Sequence, residues 1–266
     1  MRVNENIVIS TPKVLLVPYD AHHVERYHEW MQNDELREAT ASDLLSLDEE
    51  YENQQSWRTA HDKLTFIVCQ PVVLSESKDD ITTSTIYAGE NERMVGDVNL
   101  FLTPCDDGES EDKPSENGDE NATCGEIDIM IAMPELRRKG LGEAAVRAFL
   151  QFLTRHHDGI MSEYSLASEQ ARPGGAAKNT RLKRLVAKIS ADNLGSIRLF
   201  ENLGFRRDGE PNYFNEISLV FPFPPPPPPP PLRVGALPMM TTTNLGTEID
   251  GLGYREVVYD RSRLKG

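Results

Sequence analysis

Apolar and polar positions alternate from Cys124 to Met133. Ile127, Ile129 and Ile131 fall on one side, and Glu126, Asp128 and Met130 on the other. A period of two over this length predicts a half-buried strand. Directly beyond it the period changes. Leu141, Ala144, Ala145, Ala148, Phe149 and Phe152 recur at spacings of three and four, an apolar stripe over about three helical turns. The runs 13–18, 64–69, 94–102 and 182–190 read as further strands, the second and third forming a hairpin with a long loop. Helices are predicted over 22–33, on Val24, Tyr27 and Met31, and after Ser46, which forms a capping box with Glu49. A last helix carries Ile197, Leu199, Phe200 and Leu203, is capped by Asn193 or Ser196, and stops at Gly204. Strands at 205–207 and 213–220 close the pattern. The order strand, two helices, three strands, helix, strand, helix, two strands predicts a mixed α/β sheet.

Three stretches break the periodicity: 75–93, 105–123 and 156–180. The first two are rich in Ser, Thr, Asn, Gly and Asp and carry −10 of the formal net charge of −15. Too little apolar surface is available there to offset chain entropy, so they read as flexible insertions or as an acidic lure for a basic partner. Pro222, Phe223 and the run Pro224 to Pro231 end the globular unit. The organisation is thus a domain over 1–221, a polyproline linker over 222–231 and a tail over 232–266. The linker is a stiff spacer or a docking site for a polyproline-binding partner. Within the tail, 254–259 is a short β-like patch.

The charge excess excludes nucleic-acid binding through clustered cations, while leaving cationic substrates open. No apolar run reaches the ~20 residues of a membrane helix, and MRVNENIVIS has no signal-like core, so no membrane partner and a cytoplasmic or nuclear setting are expected. Cys69, Cys105 and Cys124 have no CxxC spacing and suggest neither a disulfide framework nor a thiolate metal site. His22, His23, His28 and His61 lack metal-ligand spacing, and no metal is expected.

The chemistry concentrates after the alternating strand. Arg137, Arg138, Lys139, Gly140, Leu141 and Gly142 form a basic, glycine-containing turn that opens a helix. Unpartnered N–H groups and the positive end of the macrodipole meet there, and glycine permits close approach. The turn suits a diphosphate, although Gly-x-Gly before a helix also suits a plain tight turn.

The R-x-x-G-x-G turn, followed by A-K-I-S-A-D-N-L-G-S-I-R-L-F-E-N-L-G-F, resembles the GCN5-related N-acetyltransferase (GNAT) family over about 14–221. Segments at 17–19, 23–31, 47–51, 65–68, 94–102 and 125–132 are similar to its N-acetyltransferase 9-like subfamily. The resemblance implies a mostly antiparallel twisted sheet flanked by about four helices. Its central strands, 124–133 and 182–190, would splay around the pantetheine arm of acetyl-CoA. It also implies acetylation of protein N-termini, with tubulin as the partner class.

Site roles follow from the resemblance and from the residues. Backbone groups of Ile129, Met130 and Ile131 would pair with the pantetheine, and one N–H would stabilise the developing oxyanion. Asn193, which matches the family's cofactor-contacting Asn, and Ser196 complete the cofactor set; a helix cap is an equal role for Asn193. Glu126 is nominated as general base, directly or through water, with Asp128 beside it as the second catalytic carboxylate. An α-amine, pKa ~7.7–8.0, demands less of a base than lysine at ~10.4. Many relatives carry Tyr as proton donor where this chain has Phe200. Water or Tyr213 would serve instead, or the thiolate leaves unprotonated. Asp43 and Tyr213, on the 39–44 connection and the 208–214 hairpin, are the substrate-binding candidates, with Asp208 and Glu210 nearby. The competing readings are a catalytically weak fold acting as a microtubule or protein interaction module, and an enzyme acting on small polyamines.

Overall fold

A computed structural model describes residues 1–72, 90–105, 122–170, 180–224, 253–259 and 261. Among these residues nine strands form one sheet in the order β7-β8-β6-β5-β4-β3-β2-β1-β9. They are β1 (Ile7–Ser10), β2 (Leu15–Pro18), β3 (Lys63–Cys69), β4 (Met94–Pro104), β5 (Ala122–Ile131), β6 (Arg181–Ser190), β7 (Arg206–Arg207), β8 (Glu216–Pro222) and β9 (Arg255–Val258). β5 and β6 pair parallel, and the other pairings are antiparallel. The mixed, mostly antiparallel architecture expected from the sequence is the one observed.

Helices cover both faces. On one lie α1 (Val24–Met31), α2 (Asp34–Ala39) and α3 (Leu47–Thr59). Trp30, Met31 and Leu36 pack with Val17, Ile67, Met94 and Met130 from the strands. The one-turn α4 (Glu90–Arg93) leads into β4. The other face carries α5 (Leu141–Arg155), α6 (His157–Gln170) and α7 (Leu194–Asn202). The stripe read from the sequence does its expected work here: Ala145, Ala148, Phe149 and Phe152 are buried against Phe66, Val98 and Ile127. Phe66 meets Phe149 and Phe152 edge-on. The Ser46–Glu49 capping box is formed at the start of α3.

Several expectations need correction. The segment 156–180 is not an insertion throughout: 157–170 is helical, and Ile160 and Met161 are buried in the main core. Tyr164 packs against the same cluster, and a stripe of little more than one turn gave no sustained helical period. Residues 90–93 of the first acidic stretch are also structured. Glu90 is buried and accepts hydrogen bonds from His23 and Tyr259. Cys105 and Cys124 are disulfide-bonded, because the β4–β5 hairpin brings the two ends of the 105–123 stretch together. The β-like patch of the tail is β9, hydrogen-bonded along β1, with Tyr259 buried behind it. The proline run from Pro225 onward lies outside the described residues, as do 73–89, 106–121 and 171–179.

Candidate active site

β5 and β6 run side by side only as far as Glu126 and Val186. Beyond that point 127–131 pair, among the described residues, with β4 alone, while β6 continues against β8. The central pair therefore splays, and one edge of the β5 backbone has no strand partner among the described residues. Gly142 of α5 overlooks this opening. A Cβ on it would stand 3.1 Å from Leu199 Cδ1 and 3.8 Å from the Cγ1 atoms of Ile129 and Ile131. Ile129, Ile131, Leu199 and Gly142 thus line one narrow space, kept open because residue 142 has no side chain.

At the mouth of that space the chain turns sharply into α5. Arg138 and Gly140 adopt left-handed conformations, φ 59° and 77°. Gly140 is the N-cap and offers no side chain to the first turn. The N–H groups of Leu141, Gly142 and Glu143 consequently point outward at the positive end of a fifteen-residue helix. This is an anion cradle made of backbone. Arg138 and Lys139 project into solvent around it. Arg137 is placed differently from expectation. Its Nε donates to Ile131 O at 2.8 Å and its Nη2 to Ala132 O at 3.3 Å, so it braces the turn against the end of β5. Asn193 Oδ1 accepts the Ser196 N–H at 3.1 Å, which fixes the first turn of α7.

The opposite face of the same strands is acidic. Asp97 and Asn99 of β4 stand across from Met130 and Asp128 of β5, and Phe101 across from Glu126. Asp97 is buried and has no cation paired with it among the described residues. Its Oδ2 accepts from Tyr27 OH and from Asn99 Nδ2, both at 3.1 Å. Burial pushes its carboxyl up to about 6, against the pull of those two donors. Asp128 is exposed on this face. Desolvation by the surrounding protein, joined by the negative charges of Glu126 and Asp97, pushes it up to about 7. Glu126 is engaged otherwise: its Oε2 lies 2.7 Å from Lys188 Nζ. A carboxyl titrating near neutrality is suited to proton transfer; one held in a salt bridge is less so.

Sequence reasoning missed Asp97, Asn99 and Tyr27. The signal was an acid and an amide two positions apart in a strand otherwise apolar, facing the same way. Phe200 is buried and packs edge-on against Phe205 at 5.0 Å, so its position points into the core, away from the cleft. Asp43 is exposed on the connection between α2 and α3. Tyr213 is 96% exposed and stands beside Phe214 on the β7–β8 connection.

His22, His23 and Glu90 converge closely enough to suggest a cation site. The hydrogen bonds argue against it. His23 Nδ1 accepts the Asp20 N–H at 3.0 Å, so the proton of the neutral ring is on Nε2, which donates to Glu90 at 2.7 Å. That tautomer has no Nε2 lone pair to give. The cluster is a buried knot that receives Tyr259 OH from beyond β9.

The profile of the acetyltransferase (GNAT) domain matches residues 13–206. An N-acetyltransferase 9-like protein of Schizosaccharomyces pombe is 39% identical over 229 residues, covering 82% of this chain and 97% of that one. The alpha/beta-tubulin-N-acetyltransferase 9 of Drosophila melanogaster is 36% identical over 222 residues, covering 84% and 90%. Among solved structures, spermidine N-acetyltransferase from Vibrio cholerae, in complex with CoA and spermine, superposes with a TM-score of 0.50. It shares 13% identity and covers 79% of this chain and 95% of that one, a likeness of fold.

Proposed function

The chain belongs to the acetyltransferase (GNAT) domain family and is a GNAT-type acetyltransferase that uses acetyl-CoA, and from that premise we propose that it acetylates protein N-terminal α-amines, with tubulin N-termini as the acceptor class. The carrying observation is the splayed strand pair, with a backbone anion cradle at its mouth and an acidic face beneath it. The tubulin assignment takes its support from relatives named for that activity, 36% identical in Drosophila melanogaster.

In this reading the N–H groups of Leu141, Gly142 and Glu143 hold the donor's diphosphate. The free edge of 127–131 pairs with its pantetheine arm, and Gly142 leaves it room. Asp128 takes a proton from the acceptor ammonium, so the nitrogen attacks as a neutral amine. The C–N bond forms as the C–S bond breaks, a β5 N–H stabilises the charge that develops on the carbonyl oxygen, and the surplus proton on the attacking nitrogen leaves to solvent as the amide forms. Coenzyme A departs as thiolate and is protonated by solvent, since position 200 faces the core. Lys188 neutralises Glu126, which leaves Asp128 as the uncommitted base. Asp97, held by Tyr27 and Asn99, keeps that face negative toward a cationic acceptor.

The test is incubation of the full chain with acetyl-CoA and peptides that carry free or blocked N-termini, scored by mass. Acetylation of the free α-amine is expected. Transfer only to lysine side chains or polyamines sinks the acceptor assignment, and binding of coenzyme A with no transfer to any amine favours an interaction module.

A further inference from the structure

Toward the start of β5 the acidic face carries sulfur in place of carboxylate. Cys124, Glu126 and Asp128 alternate onto one side of the strand. Cys124 stands across from Thr103 of β4 and from Arg184 of β6. Its Sγ is bonded to that of Cys105, which follows the end of β4, with 5.0 Å between the two Cα atoms. The partners are 19 positions apart in the sequence. Neither the anion cradle nor the carboxyl groups of the acceptor face make use of this pair.

The two sulfurs are not equivalent. Cys124 is buried, while Cys105 is partly exposed. Arg184 Nε donates to Cys124 Sγ at 3.2 Å, and Arg184 forms no ion pair among the described residues. Two positions along β5, Glu126 is occupied by Lys188 at 2.7 Å, so the charge that bears on Cys124 is the guanidinium. A cation beside a sulfur favours its thiolate. Cys105 is followed in the sequence by Asp106 and Asp107, and negative charge next to a thiol keeps its proton on. One sulfur is open to attack and the other is the better leaving group, the asymmetry on which thiol–disulfide exchange depends. Cys69 stands apart: it is fully buried in β3, and desolvation pushes its thiol well up.

We propose that Cys105–Cys124 is a reversible exchange site for a small thiol of the glutathione class, entered at Cys105 with Cys124 as the leaving thiolate. The thiolate of one glutathione attacks Cys105 Sγ. The bond to Cys124 breaks, and its electron pair leaves on Cys124 beside Arg184. Cys105 then carries glutathione in a mixed disulfide. A second glutathione thiolate attacks the glutathione sulfur of that bond, and Cys105 departs and takes up a proton. The protein disulfide has gained two electrons to become a thiol and a thiolate, and two glutathiones have been oxidised to one glutathione disulfide. The reverse sequence, driven by glutathione disulfide, closes the bond. The chemistry is the same whether the chain transfers acetyl groups or only binds partners.

The test is equilibration of the full chain in glutathione buffers of stepped reduced-to-oxidised ratio, followed by pulse alkylation of the native protein and peptide mapping by mass. The bond should open as the ratio rises and close as it falls, with Cys69 unlabelled at every step. Cys124→Ser, incubated with glutathione disulfide, should accumulate glutathione on Cys105. In a Cys105→Ser background, Arg184→Gln should raise the pH midpoint for alkylation of Cys124 by about one unit. With both cysteines present, the same change should slow opening about threefold. A bond that stays closed at every ratio until the fold melts is a fixed staple and overturns the proposal. So does a wild-type mixed disulfide that maps to Cys124, or a midpoint that Arg184→Gln leaves in place. The wild-type titration needs no variant, so it decides even where Arg184→Gln loosens β6.

Discussion

The two ends of the cleft are built from different materials. The coenzyme end is mostly backbone: uncapped N–H groups at the start of α5, an unpaired strand edge on β5, and glycine where a side chain would intrude. The acceptor face is made of side chains whose properties come from their neighbours, above all Asp97 and Asp128. A backbone site tolerates change in most of its side chains but not in its glycines. A side-chain site fails when one carboxyl changes, even with every backbone atom in place.

The largest expected effect falls on the acceptor face. Asp128→Asn should lower kcat/KM about a thousandfold, within the ~10²–10⁴ attributed to general-base catalysis, and leave the coenzyme A Kd within twofold. Wild-type kcat/KM should rise with pH as Asp128 ionises near 7 and fall again where the acceptor ammonium itself loses its proton, ~7.7–8.0; the variant should lose the Asp128 limb and follow the free amine alone. Glu126→Gln, which breaks only the pair with Lys188, should cost about tenfold or less. A reversed order of these two variants would return the base to Glu126. Stability should move the other way. The folded-state carboxyl of Asp128 titrates above the ordinary ~3.9, so the folded protein loses stability as pH rises from about 4 through 7. Asp128→Asn should therefore melt above wild type at pH 8, by about 2–4 °C, with the gain gone below pH 4.

Next in size is the coenzyme end. Gly142→Val would fill the space bounded by Leu199, Ile129 and Ile131, and should weaken coenzyme A about a hundredfold, the scale on which ~1 Å of misplacement is felt. The same variant should leave the pKa of the kcat/KM profile unmoved. Normal coenzyme binding would show that the donor takes another path.

This contrast also explains what was readable in the chain. The cradle and the α5 stripe depend on local spacing, so Gly140, Gly142 and the recurrence from Leu141 to Phe152 disclosed them, whereas the splay of the central strands was expected from the family resemblance alone. Asp97 did not disclose itself, because its role depends on Tyr27, seventy positions earlier, and on burial under α1. The pairing of Glu126 with Lys188 is equally non-local and shifts the base role toward Asp128. The helix over 157–170 escaped notice because the apolar residues that seat it among the described side chains, Ile160, Met161 and Tyr164, span little more than one turn. β9 was visible as a β-like patch, but its partner β1 is some 250 residues away in sequence, and nothing local points to it.

The smallest predicted effect concerns how β9 is tied to the rest. Tyr259 is buried and its OH donates to Glu90 at 3.1 Å, in the knot that His23 also enters. Burial raises the Glu90 carboxyl, but the His23 hydrogen bond and the neighbouring His22 imidazole outweigh it and draw it down to about 2. Glu90 therefore stays ionised, and each donor it keeps matters. Tyr259→Phe removes one donor and leaves the ring, which should cost about 1.5–3 kcal/mol, the range for hydrogen bonds to a charged group. Amide exchange should quicken along β9 and β1. The pH profile set by Asp128 should stay in place. A change in that profile instead would mean that the knot communicates with the acceptor face through α1, and the two ends of the cleft would not be separable.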